Sequence, residues 1–258
     1  MKALLKFEFR KLFQNKALYI CLGIALFLLI VNAITAKAMA EIMKEAMEEI
    51  GQPYESAYSG LSLMKSVFSN NTSIIEGVLV TIIVCGDFVG DIVKNIFSKG
   101  YTRTQVYFAK LISSLTAFTA IIVLGMIVSF ITGLALFGKV GTADKSYIPS
   151  IICIYLLAWA YFSIYFGLAM LFKKIAPSII LCIIGPTAVT LLLAMADALI
   201  NKEGENSLSD YWISSQMSYQ SLSVVENKTI FTSIVLSVSL IALFITLSFF
   251  LNEKRDVK

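Results

Sequence analysis

The sequence predicts an all-α integral membrane protein with six transmembrane helices, an amphipathic N-terminal helix at the membrane interface and a second amphipathic helix between spans two and three. Three observations predict it. Hydrophobic residues make up 58% of the 258 residues and charged residues 15%, with mean hydropathy +0.82, too little polar surface to coat a soluble domain. Six apolar stretches each approach or exceed the roughly 20 residues that a bilayer-crossing helix needs. Lys and Arg are divided unevenly between alternate connections, which sets an orientation.

Residues 1–16 read MKALLKFEFRKLFQNK, with Leu4, Leu5, Phe7, Phe9, Leu12 and Phe13 interleaved with five cations. That pattern suits a helix lying in the cytoplasmic interface, its cations meeting anionic lipid. The apolar run that follows is long and lacks a convincing small-residue cleavage site, so it reads as a first span rather than a cleaved leader. The six spans are read at about 17–36, 73–88, 107–137, 147–172, 175–199 and 229–251. The second is the weakest, because Glu76 and Asp87 sit near its ends, and the third exceeds the bilayer thickness. With the N-terminus inside, the cytoplasmic pieces carry fourteen Lys and Arg and the outer pieces seven. Both termini are therefore expected in the cytoplasm. No repeat or linker divides the chain, so residues 1–258 read as one transmembrane domain with a short tail at 252–258.

Between spans one and two, Met39, Ile42, Met43, Ala46, Met47 and Ile50 recur at helical spacing opposite an acidic face. They predict a separate outer helix over 39–50, packed on its neighbours and stopped at Gly51-Gln52-Pro53. In the last outer connection, 208–225 is polar and aromatic (Tyr211, Trp212, Tyr219), which suits a shallow re-entrant or interfacial helix. Gly185-Pro186 interrupts the fifth span, and a proline removes a backbone donor there, so the pair is either a packing kink or a hinge. On span four, Tyr155, Trp159, Phe162 and Phe166 form a stripe whose expected role is lipid contact or helix packing.

Composition excludes several chemistries. Without a single histidine, Ser/His/Asp and Cys/His catalysis, HExxH zinc hydrolysis and His-ligated haem are ruled out. Cys21, Cys85, Cys153 and Cys182 lie far apart in apolar runs, with no CxxC, and read as small buried hydrophobes. The net charge of +4 is too slight and scattered for nucleic acid. Glu76, Asp87 and Asp197 are placed near span ends, where water or headgroups can reach them, and Asp87 is expected to pair with Arg103 or Lys94.

Residues 86–110, GDFVGDIVKNIFSKGYTRTQVYFAK, carry the most information. Ile92, Val93, Ile96 and Phe97 fall on one helical face, leaving Lys94, Asn95, Ser98 and Lys99 on the other, and Gly100 allows a break before span three. The acid ending span two, the Gly-Asp-Ile-Val-Lys-Asn and Ser-Lys-Gly-Tyr-Thr-Arg segments and the lysine opening span three resemble ABC-2-type transporter permeases, the membrane subunits of ABC exporters. The connecting helix, six spans and inward termini are similar to that family too. The resemblance implies that the loop holds a cytoplasmic coupling helix seated in a partner ATPase, with Asp91, Lys94, Asn95, Ser98, Lys99, Gly100, Thr102 and Arg103 at the contact. Asp87 and Lys110 are then candidates for a supporting charge pair, and Gly185 and Pro186 for a hinge. It further implies two ATPase copies, a second permease subunit (identical or similar), and a multi-pass location in a bacterial inner membrane. No Walker A sequence GxxxxGK[ST] occurs, so the chain is expected not to be an enzyme, with ATP and Mg held by the partner. The outer connections are short, which suits an exporter of a peptide (an antimicrobial one included), lipid or drug over a polysaccharide machine.

Rival readings make other demands. Site-2-type, CAAX-type and rhomboid-like proteases need histidine, and an aspartyl protease needs two acids deep in facing helices. A secondary transporter is expected to have a mid-membrane ion site. A non-transporting scaffold or sensor is opposed only by the 86–110 loop.

Overall fold

The computed structural model describes residues 1–53, 56, 58–68, 72–89, 92–200, 207–222 and 225–254. Among these there is no strand. Helix α1 (Lys2–Gln14) ends at Asn15, whose extended backbone turns the chain and whose side chain accepts from the Ala17 amide to cap α2 (Lys16–Glu49). Then come α3 (Gly60–Lys65), α4 (Thr72–Val89), α5 (Ile92–Ser98), α6 (Arg103–Phe137), α7 (Tyr147–Phe172), α8 (Ile175–Ile200), α9 (Ile213–Ser221) and α10 (Asn227–Lys254). Six of them (α2, α4, α6, α7, α8 and α10) are long and apolar enough to cross a membrane, as the sequence predicts.

One expected boundary is absent. Span one and the helix expected at 39–50 form a single 34-residue helix, α2. The intervening residues are Ala, Met, Glu and Lys, all strong helix formers. Nothing stops the helix before Gly51, which adopts the left-handed conformation (φ 74°) suited to a helix end. The apolar face at this end is not packed on neighbours either, because Met39, Ile42, Met43 and Ile50 are exposed.

Helix α7 is the axis of the bundle. It is 67% buried over its apolar window, against 6% for α8 and 11% for α10, and it packs on α4, α8, α9 and α10. The aromatic stripe is divided accordingly: Phe162 and Phe166 are buried against Phe118 and Tyr107, while Tyr155 and Trp159 are half-buried. Lipid provides no hydrophobic drive between helices, so close approach through small residues matters more. Ala25 and Ala33 of α2 are buried in this way, and Gly133 of α6 lies against Gly60, where an added Cβ would come within 2.8 Å of the Gly60 Cα. All four cysteines are buried and free, and Cys85 donates to the Ala169 carbonyl at 3.4 Å. Helix α9 packs on α7 and α10 through Ile213 and Met217, and its buried Gln216 and Gln220 hydrogen-bond to Ser233 of α10.

Candidate functional site

Helix α5 sits in the connection between α4 and α6. Val93 and Ile96 are buried, while Lys94, Asn95, Ser98 and Lys99 are exposed. Gly100, in the left-handed conformation (φ 85°), ends the helix. The chain then enters α6 through a reciprocal cap, in which Thr102 Oγ1 accepts from the Gln105 amide and Gln105 accepts from the Thr102 amide. The buried side of α5 has an identifiable partner, a small apolar core of Ile96 with Leu4 of α1 and Val106 and Ala109 of α6. Through Ile96, α5 thus touches α1 and the start of α6.

Directly beside that core four charged side chains meet. Lys110 is completely buried and bonds both Asp87, also completely buried, and Glu8, at 3.5 Å. Lys11 pairs with the other Asp87 oxygen. Two cations and two carboxylates from α1, α4 and α6 thus neutralise one another, with three of the four buried and Lys11 at the rim. Burial, followed by the like charge of Lys110, pulls the Lys11 ammonium down to about 8, with Glu8 opposing. Breaking a buried set of this kind by removing one member strands the others and costs about 3–5 kcal/mol. Below it, Lys173 and Lys110 both lie over the Phe88 ring. Arg103 donates to the Glu253 carbonyl at 3.1 Å, and the Tyr107 hydroxyl to the Ile245 carbonyl at 3.0 Å, tying the end of α10 to the same place.

Residues 4–189 match the family described as ABC-2 family transporter protein. The chain belongs to the ABC-2 transporter family. No curated protein and no solved structure matches it. Membership makes this chain the membrane permease subunit of an ABC transporter, a multi-pass protein of a family without nucleotide-binding motifs, and implies an ABC ATPase partner.

Of the loop residues singled out in this ABC-2 permease by sequence, Lys94, Asn95, Ser98, Lys99, Gly100, Thr102 and Arg103 lie together along α5 and its exit. Asp91, with Gly90, lies outside the described residues. Asp87 and Lys110 do pair. The expected partners of Asp87, Arg103 or Lys94, give way to Lys110 and Lys11, because Asp87 faces into the bundle rather than into the loop. Gly185 and Pro186 are far along the chain from α5. Helix α8 continues through them, and Pro186 lines a cavity of about 500 Å³ with Tyr161, Tyr165 and Thr190.

Sequence reasoning missed Glu8 and Lys11. The available sign was Glu8 itself, which with Leu4 and Leu12 occupies the i, i+4, i+8 row of α1 that is buried. It also placed Glu76 at a solvated boundary, whereas Glu76 is 1% exposed and has one carboxylate oxygen without a hydrogen-bond partner.

Proposed function

We propose that this chain is the transmembrane half of an ABC exporter that moves an apolar or amphipathic cargo, a peptide, lipid or drug, outward across a bacterial inner membrane. Helix α5 is its coupling helix, with Lys94, Asn95, Ser98, Lys99, Gly100, Thr102 and Arg103 meeting the ATPase, and both termini are cytoplasmic. Two ATPase copies carry ATP and Mg, and a second permease subunit, identical or similar, completes the pore. The observation that carries this reading is the division of α5, whose polar face is exposed while its apolar face shares a core with α1 and α6. Closure of the ATPases would push on the exposed face. The buried Glu8–Lys110–Asp87–Lys11 set would transmit the push to three helices as one body, the kind of rigid element that a two-state rearrangement requires. Gly185-Pro186 is the hinge we assign within α8, since a proline there leaves the Cys182 carbonyl without its helical donor.

Gentle detergent purification of the tagged chain from its native membrane tests the reading. A Walker-motif ATPase should copurify, and Lys94→Glu and Arg103→Glu should lower its coupled hydrolysis about 10-fold or more, as charge reversal does at an interface. A chain that emerges alone even after crosslinking would sink the proposal in favour of a scaffold or sensor.

A further inference from the structure

The end of the bundle opposite α5 contains a second built feature, unrelated to coupling. Helix α3 is clamped there by backbone. The Gly60 amide donates to the Lys139 carbonyl at 3.1 Å and the Leu61 amide to the Val140 carbonyl at 3.0 Å. Gly141 (φ 94°) passes so close to Ser59 that an added Cβ would collide with its hydroxyl at 2.3 Å. The Tyr147 hydroxyl, at the start of α7, donates to the Leu61 carbonyl at 3.3 Å. Between α3, the 139–142 turn, the start of α7 and the end of α9 lies an open cavity of about 1080 Å³.

Lys65 is set into its wall. It is 3% exposed, donates one hydrogen bond to the Leu222 carbonyl at 3.2 Å, and lies 4.9 Å from the centre of the Tyr147 ring. An ammonium has three donors, so a carbonyl and a ring face leave it under-satisfied for a buried charge. Burial accordingly pulls its pKa down, with Asp144 opposing. The described lining includes a second lysine, Lys139, and the hydroxyls of Ser56, Ser66, Thr142 and Ser221, but no Asp or Glu. Leu61, Val140 and Leu222 give the wall an apolar part.

We propose that this vestibule binds the acidic headgroup of an amphiphile, a phosphate or carboxylate seated on the Lys65 ammonium, with its apolar part along Leu61, Val140 and Leu222. The cation supplies the charge, and the hydroxyls supply donors that tolerate different headgroup shapes. The site stands on its own geometry and does not depend on the coupling role of α5.

The test is native mass spectrometry of the detergent-solubilised full chain titrated with dioctanoyl phosphatidate, dioctanoyl phosphatidylcholine and inorganic phosphate. Phosphatidate is expected to bind at least about 10-fold more tightly than phosphatidylcholine, as a charge-assisted contact would give. Lys65→Met should remove that preference and Lys65→Arg should keep it. Should Lys65→Met fail to fold, Val140→Trp decides: Val140 is 55% exposed on the apolar wall, and the larger side chain there should obstruct the path of the apolar part and weaken binding with Lys65 in place. Inorganic phosphate that displaces phosphatidate at equal concentration would assign the site to a soluble anion, and failure to displace it would assign it to a lipid or lipid-like cargo. Equal binding of phosphatidate and phosphatidylcholine, or phosphatidate binding unchanged in both Lys65→Met and Val140→Trp, would overturn the proposal.

Discussion

At the α5 end of the bundle Glu8, Asp87 and Lys110 are buried together with Lys11 at their rim, whereas at the opposite end Lys65 and Glu76 are buried one at a time. The consequence of burial is reversed between the two. Within a neutral set, poor solvent strengthens every contact and makes three helices behave as one. Around a single charge it leaves a penalty that only a further partner relieves. Paired burial therefore suits a part that must transmit force, and single burial suits a part that must bind.

The largest effects are expected where a member of the set is lost. Lys110→Met leaves two carboxylates facing each other without their shared cation, and Asp87→Asn leaves two lysines without theirs; each should cost about 3–5 kcal/mol. Glu76→Gln, with the same change of charge on the same helix, should cost less than about 1 kcal/mol, because among the described residues no cation pairs with Glu76. Thermal unfolding of the three purified variants in one detergent measures the contrast. Equal losses for Asp87→Asn and Glu76→Gln would erase the distinction between the two ends.

A smaller effect sharpens the same comparison from the other side. The end that carries Lys65 has close backbone approaches, at Gly133 against the Gly60 backbone and at Gly141 against the Ser59 side chain. Gly133→Ala pushes a methyl to within 2.8 Å of backbone that cannot rotate away, which should cost about 1–3 kcal/mol. The loss should be insensitive to salt, since the Gly133–Gly60 contact is between backbones. A salt-dependent loss, read from unfolding at two ionic strengths, would show that charge contributes to this end as well.

Much of this arrangement was legible in the sequence, and its gaps have physical reasons. Spans show themselves because lipid demands long apolar runs, and α5 because its charges fall on one face of a short helix between two such runs. Position at the span ends points Asp87 to Arg103 or Lys94, and only the family resemblance sets Asp87 beside Lys110, because the loop residues are nearer in sequence while Asp87 turns into the bundle. Glu8 and Lys11 stayed hidden because an amphipathic stretch looks the same whether its polar residues face headgroups or a neighbour's buried charge. The length of α2 was misjudged because polarity changes at residue 37 while helix propensity does not. Lys65 carries no sequence sign at all: it is the last residue of a short helix, and only the fold brings Tyr147 and Leu222 around it.

The smallest effect lies at the rim of the set, where Lys11 remains 30% exposed and open to reagents. An ordinary lysine keeps its proton to about pH 10.4, so its acylation rate still climbs tenfold per pH unit through the whole neutral and mildly alkaline range. Lys11 is held near 8 by burial and by Lys110, with Glu8 pulling the other way. Its acylation by a dilute amine-reactive reagent, followed by peptide mass spectrometry from pH 6 to 10, should therefore climb and then level off above about 8. Glu8→Gln removes the group that raises this value, so the plateau should begin at lower pH. A plateau displaced upward in Glu8→Gln would mean that Glu8 does not stabilise the Lys11 charge. The paired set would then reduce to Asp87 and its two lysines.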